Sequence, residues 1–397
     1  MPSHSEATLP AAVPFDFNPR TRLIFGVDTV ARVGELAVEL SAKKVLLVTD
    51  PGIVSAGHAA KVIALLEAQH LKVVCFDQVE ENPSTLCVNR CVEVARLLSI
   101  DTIIGLGGGS SMDTAKGCNF ILSNGGQMRD YWGIGKASRP MLPLIAIPTT
   151  GGTGSECQSF ALITDEKTHQ KMACGDPKAA ARIAILDPAL TLSQPAHVTA
   201  YSGIDAIAHA VETAVTKRRT PLSFIFSREA FRLTVAGLPR VLANPSDPDS
   251  RGWMLLGAAL AGTAIENSML GAAHSAANPL TAHFGTAHGK AVGLMLPHIV
   301  RFNASDPAAA RAYQELALIA GICSSSDSAD VAAEKLAFHL EQLLDLASLP
   351  RSLKDCGAHN GDLIHLAEEA ASQWTAQFNP RLVSREDFQK LYARALT

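Results

Sequence analysis

The sequence predicts an α/β plus all-α fold in one chain. Three observations carry this expectation. Short apolar runs alternate with helical stretches up to about residue 190; strand signals stop after Pro195; and two glycine-rich segments each directly follow an apolar run. Alternation of this kind argues a parallel sheet with helices on both faces. The strand candidates are Lys44 to Thr49, Lys72 to Phe76, Thr102 to Leu106, Leu144 to Ile147 and Ile183 to Leu186. Beyond Pro195, long alanine- and leucine-rich stretches are separated by breaks such as Asn244-Pro245-Ser246-Asp247-Pro248, which suits helices. The expected domains are 1–190, in which 1–14 is a loose tail, and 191–397.

The first glycine segment follows Asp101-Thr102-Ile103-Ile104-Gly105-Leu106 and reads Gly107-Gly108-Gly109-Ser110-Ser111-Met112-Asp113. It has the form of a loop opening a helix, where backbone N–H groups and a helix N-terminus favour a phosphate. It is neither the G-x-G-x-x-G fingerprint nor a P-loop. A tight strand-to-helix turn without a ligand is the alternative. The second segment, Thr149-Thr150-Gly151-Gly152-Thr153-Gly154-Ser155-Glu156, follows Leu144 to Pro148. Its hydroxyls and amides could bond a nucleotide's sugar, base or phosphates. Two such loops at strand ends fit the crevice where open parallel sheets bind nucleotides.

In the helical part, Asp205 and His209 lie four apart in Gly203-Ile204-Asp205-Ala206-Ile207-Ala208-His209-Ala210-Val211-Glu212, so they share a helix face. His274 and His288 follow downstream in short segments of their own. One carboxylate and three imidazoles suit a divalent Fe, Zn, Ni or Co ion better than Ca or Mg. An i,i+4 Asp/His pair on its own is equally an ordinary hydrogen-bonded pair. The metal set lies in the helical part and the phosphate loop in the α/β part, which puts the expected site in the cleft between them.

The composition fits a globular chain: 397 residues, 47% hydrophobic and 18% charged, with a net charge of −4. That charge offers no footprint for nucleic acid or an anionic membrane. The apolar stretch Met254 to Ile265, flanked by Arg251 and Glu266, is too short to span a bilayer. The N-terminus lacks the pattern of a secretory signal. Eight cysteines with no C-x-x-C pair read as reduced thiols, so a cytoplasmic location is expected.

Taken together, Gly107-Gly108-Gly109-Ser110 with Asp113, Pro148 to Glu156, Asp187-Pro188, Gly203-Ile204-Asp205-Ala206 with His209-Ala210 and Glu212, and the His274 to His288-Gly289 segment resemble the iron-containing (group III) alcohol dehydrogenase family. The similarity runs from roughly Arg22 to near the C-terminus. The resemblance implies a dinucleotide-binding N-terminal domain and a metal-binding C-terminal domain. It implies hydride transfer between a small alcohol and NAD, with an ion on Asp205, His209, His274 and His288 polarising the oxygen. Iron is the family's metal, and the same ligands accept zinc. Cofactor contacts carried over are Asp50, Asn82, Gly108, Gly109, Ser110, Asp113, Thr149, Thr150, Thr153, Ser155 and Lys171. Asp50 goes with NAD, because a carboxylate there accepts ribose hydroxyls and repels a 2′-phosphate; without the resemblance it reads as an N-cap before Pro51. The resemblance also implies a homo-oligomer, a dimer. One departure is Asn278, which stands where many members have a proton-relaying histidine. An amide cannot shuttle a proton at neutral pH, and His283 is the nearby substitute to consider. Relatives acting on a hydroxyacid, a diol or maleylacetate share this ligand set. A metal-dependent hydrolase and a non-catalytic nucleotide binder remain as rivals of other classes.

Overall fold

The computed structural model describes residues 14–168 and 170–397; most of the expected N-terminal tail lies outside them. Six strands form a parallel sheet: β1 (Arg22–Phe25), β2 (Lys44–Val48), β3 (Lys72–Phe76), β4 (Thr102–Gly107), β6 (Leu144–Pro148) and β9 (Ile183–Leu186). Their order is β1-β9-β6-β4-β2-β3. The five strands foreseen are all present. Helices α1 (Val33–Glu39), α2 (Pro51–Ser55), α3 (His58–Glu67), α4 (Thr85–Leu98) and α5 (Gly109–Asn124) connect them. Side chains of β2 alternate strictly between the two faces. Val45 and Leu47 join the core that holds Val62 and Leu66 of α3, while Leu46 and Val48 join the core that holds Cys91 and Cys118 of α4 and α5. A sheet buried on both faces explains why its strands read as continuous apolar runs.

Four strands fell outside the expectation. β1 is an edge strand of four residues. A smaller sheet, in the order β5-β8-β7, joins β5 (Gly133–Ile134), β7 (Phe160–Thr164) and β8 (Lys171–Gly175). β7 and β8 pair antiparallel, and Lys171 opens β8.

The chain after Pro195 is helical among the described residues: α6 (Ala196–Thr213), α7 (Pro221–Ala243), α8 (Pro248–Ser268), α9 (Ala272–Phe284), α10 (His288–Asn303), α11 (Pro307–Ile319), α12 (Ala329–Leu346), α13 (Leu363–Ser372) and α14 (Arg385–Ala395). Pro221, Pro248 and Pro307 each occupy the first helical position behind a Thr or Asp whose side chain caps the helix. α6 is buried from Gly203 to Thr213, so it is the central helix of this part. The stretch Met254 to Ile265 lies within α8, and no helix among the described residues is long and apolar enough to cross a membrane. Leu255 and Ala259 of α8 pack on Cys157, Ala184 and Leu186 and so join the two parts.

Candidate active site

α6 presents Asp205, His209 and Glu212 on one face, and two further helices bring the remaining imidazoles to it. Asp205 Oδ1 lies 3.6 Å from His209 Nε2, 3.4 Å from His274 Nε2 and 3.9 Å from His288 Nε2. These separations are long for hydrogen bonds. They lie between about 0.1 and 0.6 Å above the ligand–ligand edge of about 3.3 Å that a tetrahedral ion with bonds of about 2.0 Å requires. Asp205 Oδ1 and His274 Nε2 are buried without any hydrogen-bond partner, a state that buried polar atoms avoid unless something else is meant to satisfy them. The residues therefore fit a divalent ion. His288 is the most exposed of the four, at 28%, which leaves that side open to the cleft.

Glu212 orients the set. Its Oε1 accepts from Ala273 N at 2.7 Å, and its Oε2 pairs with His274 Nδ1, so His274 turns Nε2 toward Asp205. Burial works against charge on His274, but Glu212 and Asp205 outweigh it and raise the pKa to about 9. Burial lowers His209, and it pushes His288 down to about 3 with help from Lys171. Burial would raise Asp205, yet the three histidines hold it below the usual carboxylate range. These directions favour an ionised Asp205 and neutral His209 and His288 rings, the forms that ligate a metal.

The second half of the site lies at the C-terminal ends of β2 and β4, where the strand order reverses; this switch point is where open α/β sheets bind ligands. Asp50 lies two residues beyond β2 as the N-cap of α2, and its Oδ2 lies 3.4 Å from Ser111 Oγ at the start of α5. Gly107 has φ +142, which favours glycine. A Cβ on Gly109 would stand 2.8 Å from Thr153 Cγ2, so packing accounts for that glycine too. Packing does not account for Gly108, where a Cβ would meet only Thr150 at 3.6 Å. With no side chain at Gly108 and no acidic residue in its first turn, the N-terminus of α5 is left for an outside acceptor. Asn82 N donates to Ser110 Oγ at 3.3 Å, and Lys171 Nζ donates to Asn82 Oδ1 at 3.2 Å. Lys171 is exposed as a residue, but the cleft walls strip water from its ammonium and lower its pKa, against the pull of Asp113 and Asp205. It therefore stands within electrostatic reach of both halves.

Residues 19–188 match the family described as iron-containing alcohol dehydrogenase, and residues 199–396 match the C-terminal region of the same family. The chain belongs to the iron-containing alcohol dehydrogenase family. It is 33% identical over 373 residues to the NAD-dependent methanol dehydrogenase of Bacillus methanolicus, covering 94% of this chain and 97% of that one. It is 32% identical to the 1,3-propanediol dehydrogenase of Citrobacter freundii, covering 96% and 98%. The solved alcohol dehydrogenase from Oenococcus oeni superposes with a TM-score of 0.92 at 33% identity, covering 96% of this chain and all of that one. The enzyme is a metal-dependent oxidoreductase that passes a hydride between a small alcohol and NAD.

In this alcohol dehydrogenase the structure does not bring every expected residue to the cleft. Asn278 lies one turn beyond His274 on α9, and its Nδ2 donates to Gln373 Oε1 at 3.0 Å. His283 is nine residues beyond His274, about 13 Å along the helix. Its Nε2 bonds Glu369 at 2.9 Å in an exposed setting, which removes it as a relay substitute. Ser155 and Asp113 are tied to each other, Ser155 Oγ donating to Asp113 Oδ1 at 3.1 Å. The glycines of the second loop pack rather than bind: a Cβ on Gly152 would collide with Ser202 of α6, and one on Gly154 with α8. Two residues had no assigned role in the sequence reading. Glu212 was legible as a third member of the Asp205/His209 helix face. Lys116 was not: it is fully buried, and its Nζ donates to Ser155 O, Ser155 Oγ and Phe160 O at 2.6, 2.9 and 2.9 Å.

Proposed function

We propose that Asp205, His209, His274 and His288 hold one divalent ion, with Glu212 fixing His274. The observation that carries this reading is the convergence of four ligand atoms, two of them buried and unpartnered, at separations that suit an ion and not a hydrogen bond. We further propose that NAD lies along the switch point. Its adenosine ribose would meet Asp50, its phosphates Gly108, Gly109 and Ser110, and its nicotinamide end Asn82 and Lys171. Thr149, Thr150 and Thr153 wall the same crevice, with Asp113 and Ser155 supporting it from behind. When bound, the ion supplies Lewis-acid polarisation of the alcohol oxygen and NAD accepts the hydride. Lys171 adds positive charge beside both halves, and the open side of His288 admits the substrate. Asn278 shapes the pocket through Gln373 and carries no proton, so the alcohol proton leaves through solvent on the His288 side.

A simple alcohol with its aldehyde or ketone is the preferred substrate, and iron the preferred ion, with zinc accepted. A diol is the second reading, favoured by the similarity to the propanediol enzyme. The eight cysteines, none in a disulfide, suit the reducing cytoplasm. The edge strand β1, with Leu23 and Phe25 exposed, suits pairing with a second copy.

The test strips the ion, restores Fe2+ or Zn2+, and follows NADH absorbance with a panel of alcohols, diols and aldehydes and with either NAD(H) or NADP(H). Activity without an ion, or unchanged metal content in His274→Ala and His288→Ala, would overturn the metal reading. Asn278→Ala is expected to change kcat/KM while leaving every pKa of the pH profile in place. Loss of an ionisation in that variant would mean that Asn278 sets the titration of a neighbouring group and does more than shape the pocket.

A further inference from the structure

Away from the cleft, a second set of metal-binding side chains meets at the surface. His283 lies at the end of α9, and His365 and Glu369 stand one turn apart on α13. His283 Nε2 lies 2.9 Å from each Glu369 oxygen, and His365 Nε2 lies 3.0 Å from Glu369 Oε1. The two imidazoles meet edge to face with centroids 5.1 Å apart. One donor atom from each residue lies within 4.8 Å of the others.

An ordinary ion-pair cluster would place a fixed cation beside the carboxylate. Among the described residues no Lys or Arg pairs with Glu369, although its neighbour Glu368 takes Arg385 at 3.1 Å. The partners of Glu369 are two imidazoles from different helices. Two ring nitrogens and one carboxylate with open positions are the donor set that borderline divalent ions take, and one that Ca and Mg do not favour. The present separations are a few tenths of an ångström short of the edge of about 3.3 Å expected around zinc. Side chains that are 38%, 64% and 34% exposed have the rotamer freedom to open by that much.

We infer that His283, His365 and Glu369 form a second transition-metal site, with solvent completing the coordination, and that an ion there fastens α13 to the end of α9. The fastening continues a ladder already present. Asn278 bonds Gln373 at 3.0 Å, and Ser275 Oγ bonds Thr375 Oγ1 at 2.7 Å. The contacts at 275, 278 and 283 run along α9 from the neighbour of His274 out to the surface. An ion at the outer contact binds only when both helices are in place, so it stabilises the folded chain. This site is independent of the proposed Asp205 centre.

The experiment is equilibrium dialysis of chelator-stripped protein against micromolar Zn2+, with metal content read by elemental analysis. His365→Ala and Glu369→Gln are compared with wild type. Wild type is expected to hold about two ions per chain and each variant about one. Affinity at the second site should fall roughly tenfold or more in the variants, since even partners outside the ligand set are worth roughly 10–100-fold. Excess Zn2+ should raise the Tm of wild type more than that of His365→Ala. One ion in wild type and none in His365→Ala would retain this site and remove the Asp205 centre. Equal metal content in wild type and both variants, whether one ion or two, would overturn the inference.

Discussion

Asp50 serves two neighbours at once. Its Oδ1 accepts from Ile53 N at 3.1 Å and caps α2, while its Oδ2 faces Ser111 in the proposed nucleotide crevice. The N-cap and the ribose contact were alternatives in the sequence, and the structure is compatible with both because a carboxylate has two oxygens. Asp50→Ser separates them, since serine keeps a cap but removes the charge. The expected result is a rise in the NADP(H)/NAD(H) ratio of kcat/KM with Tm nearly unchanged, measured by steady-state kinetics and thermal melts. Asp50→Ala should show the same relaxed cofactor choice together with a loss of about 1 kcal/mol of stability. Glu156 poses a different residue-scale question. It is 1% exposed, its Oε1 has no partner, and burial raises its pKa to about 7 despite the pull of Lys116. A folded-state value above the ordinary 4.5 means that its contribution is fully present below about 4.5 and is lost as pH rises through about 7. Glu156→Gln should therefore match wild type near pH 4.5 and exceed it in stability at about pH 8, by up to about 3 kcal/mol. Urea melts at the two pH values check this, and a variant less stable than wild type at about pH 8 would contradict it.

At the scale of elements, the geometry of the metal set depends on how closely α10 approaches α6. A Cβ on Gly289 would collide with the Tyr201 carbonyl and stand 3.3 Å from Asp205 Cβ, and one on Gly293 would collide with Ile204. These glycines let the helix that begins with His288 lie against the helix that holds Asp205. Gly289→Ala leaves all four ligands in the chain but forces α10 outward, at about 1–3 kcal/mol for overpacking. Metal retained after dialysis should fall and Tm should drop. Gly361→Ala is the control, because nothing lies within 4 Å of its Cβ position. Retention equal to wild type in Gly289→Ala would mean that helix spacing does not set the metal geometry.

For the whole molecule, the cleft exists only while the two parts stay joined. Glu266 of α8 accepts from Ser159 N at 2.9 Å and Ser159 Oγ at 2.7 Å, and also binds Arg20 at 2.8 Å. It therefore links the helical part to the segment before β1 and to the segment between β6 and β7. Glu266→Ala leaves Ser159 without this acceptor and should cost about 1–3 kcal/mol. The expected signature is a broadened or split calorimetric transition and a raised KM for NAD, with metal content unchanged. A single transition at the wild-type Tm would show that the apolar contact of α8 with Leu186 holds the parts together alone.

The sequence by itself determined the local elements and the chemical types at the site. Continuous apolar runs mark strands buried on both faces, so β2, β3, β4, β6 and β9 of the main sheet were legible. Asp205, His209 and Glu212 share a face because helical periodicity places them there. Gly108 is legible as the residue that opens α5 and, without a side chain, leaves the helix amides uncovered. Only the tertiary structure decided the rest. β5 has two residues, while β1, β7 and β8 are at least as long as β9, so length does not set them apart; pairing of β1 with β9 and of β7 with β8 makes them strands. Glu212 meets the His274 ring across 62 residues of chain, a contact set by helix packing and not by spacing. His283 and His288 are five residues apart, yet the helix break between α9 and α10 turns the first outward to Glu369 and the second inward to Asp205. No local pattern distinguishes two such histidines, because what separates them is the direction in which each helix approaches α6.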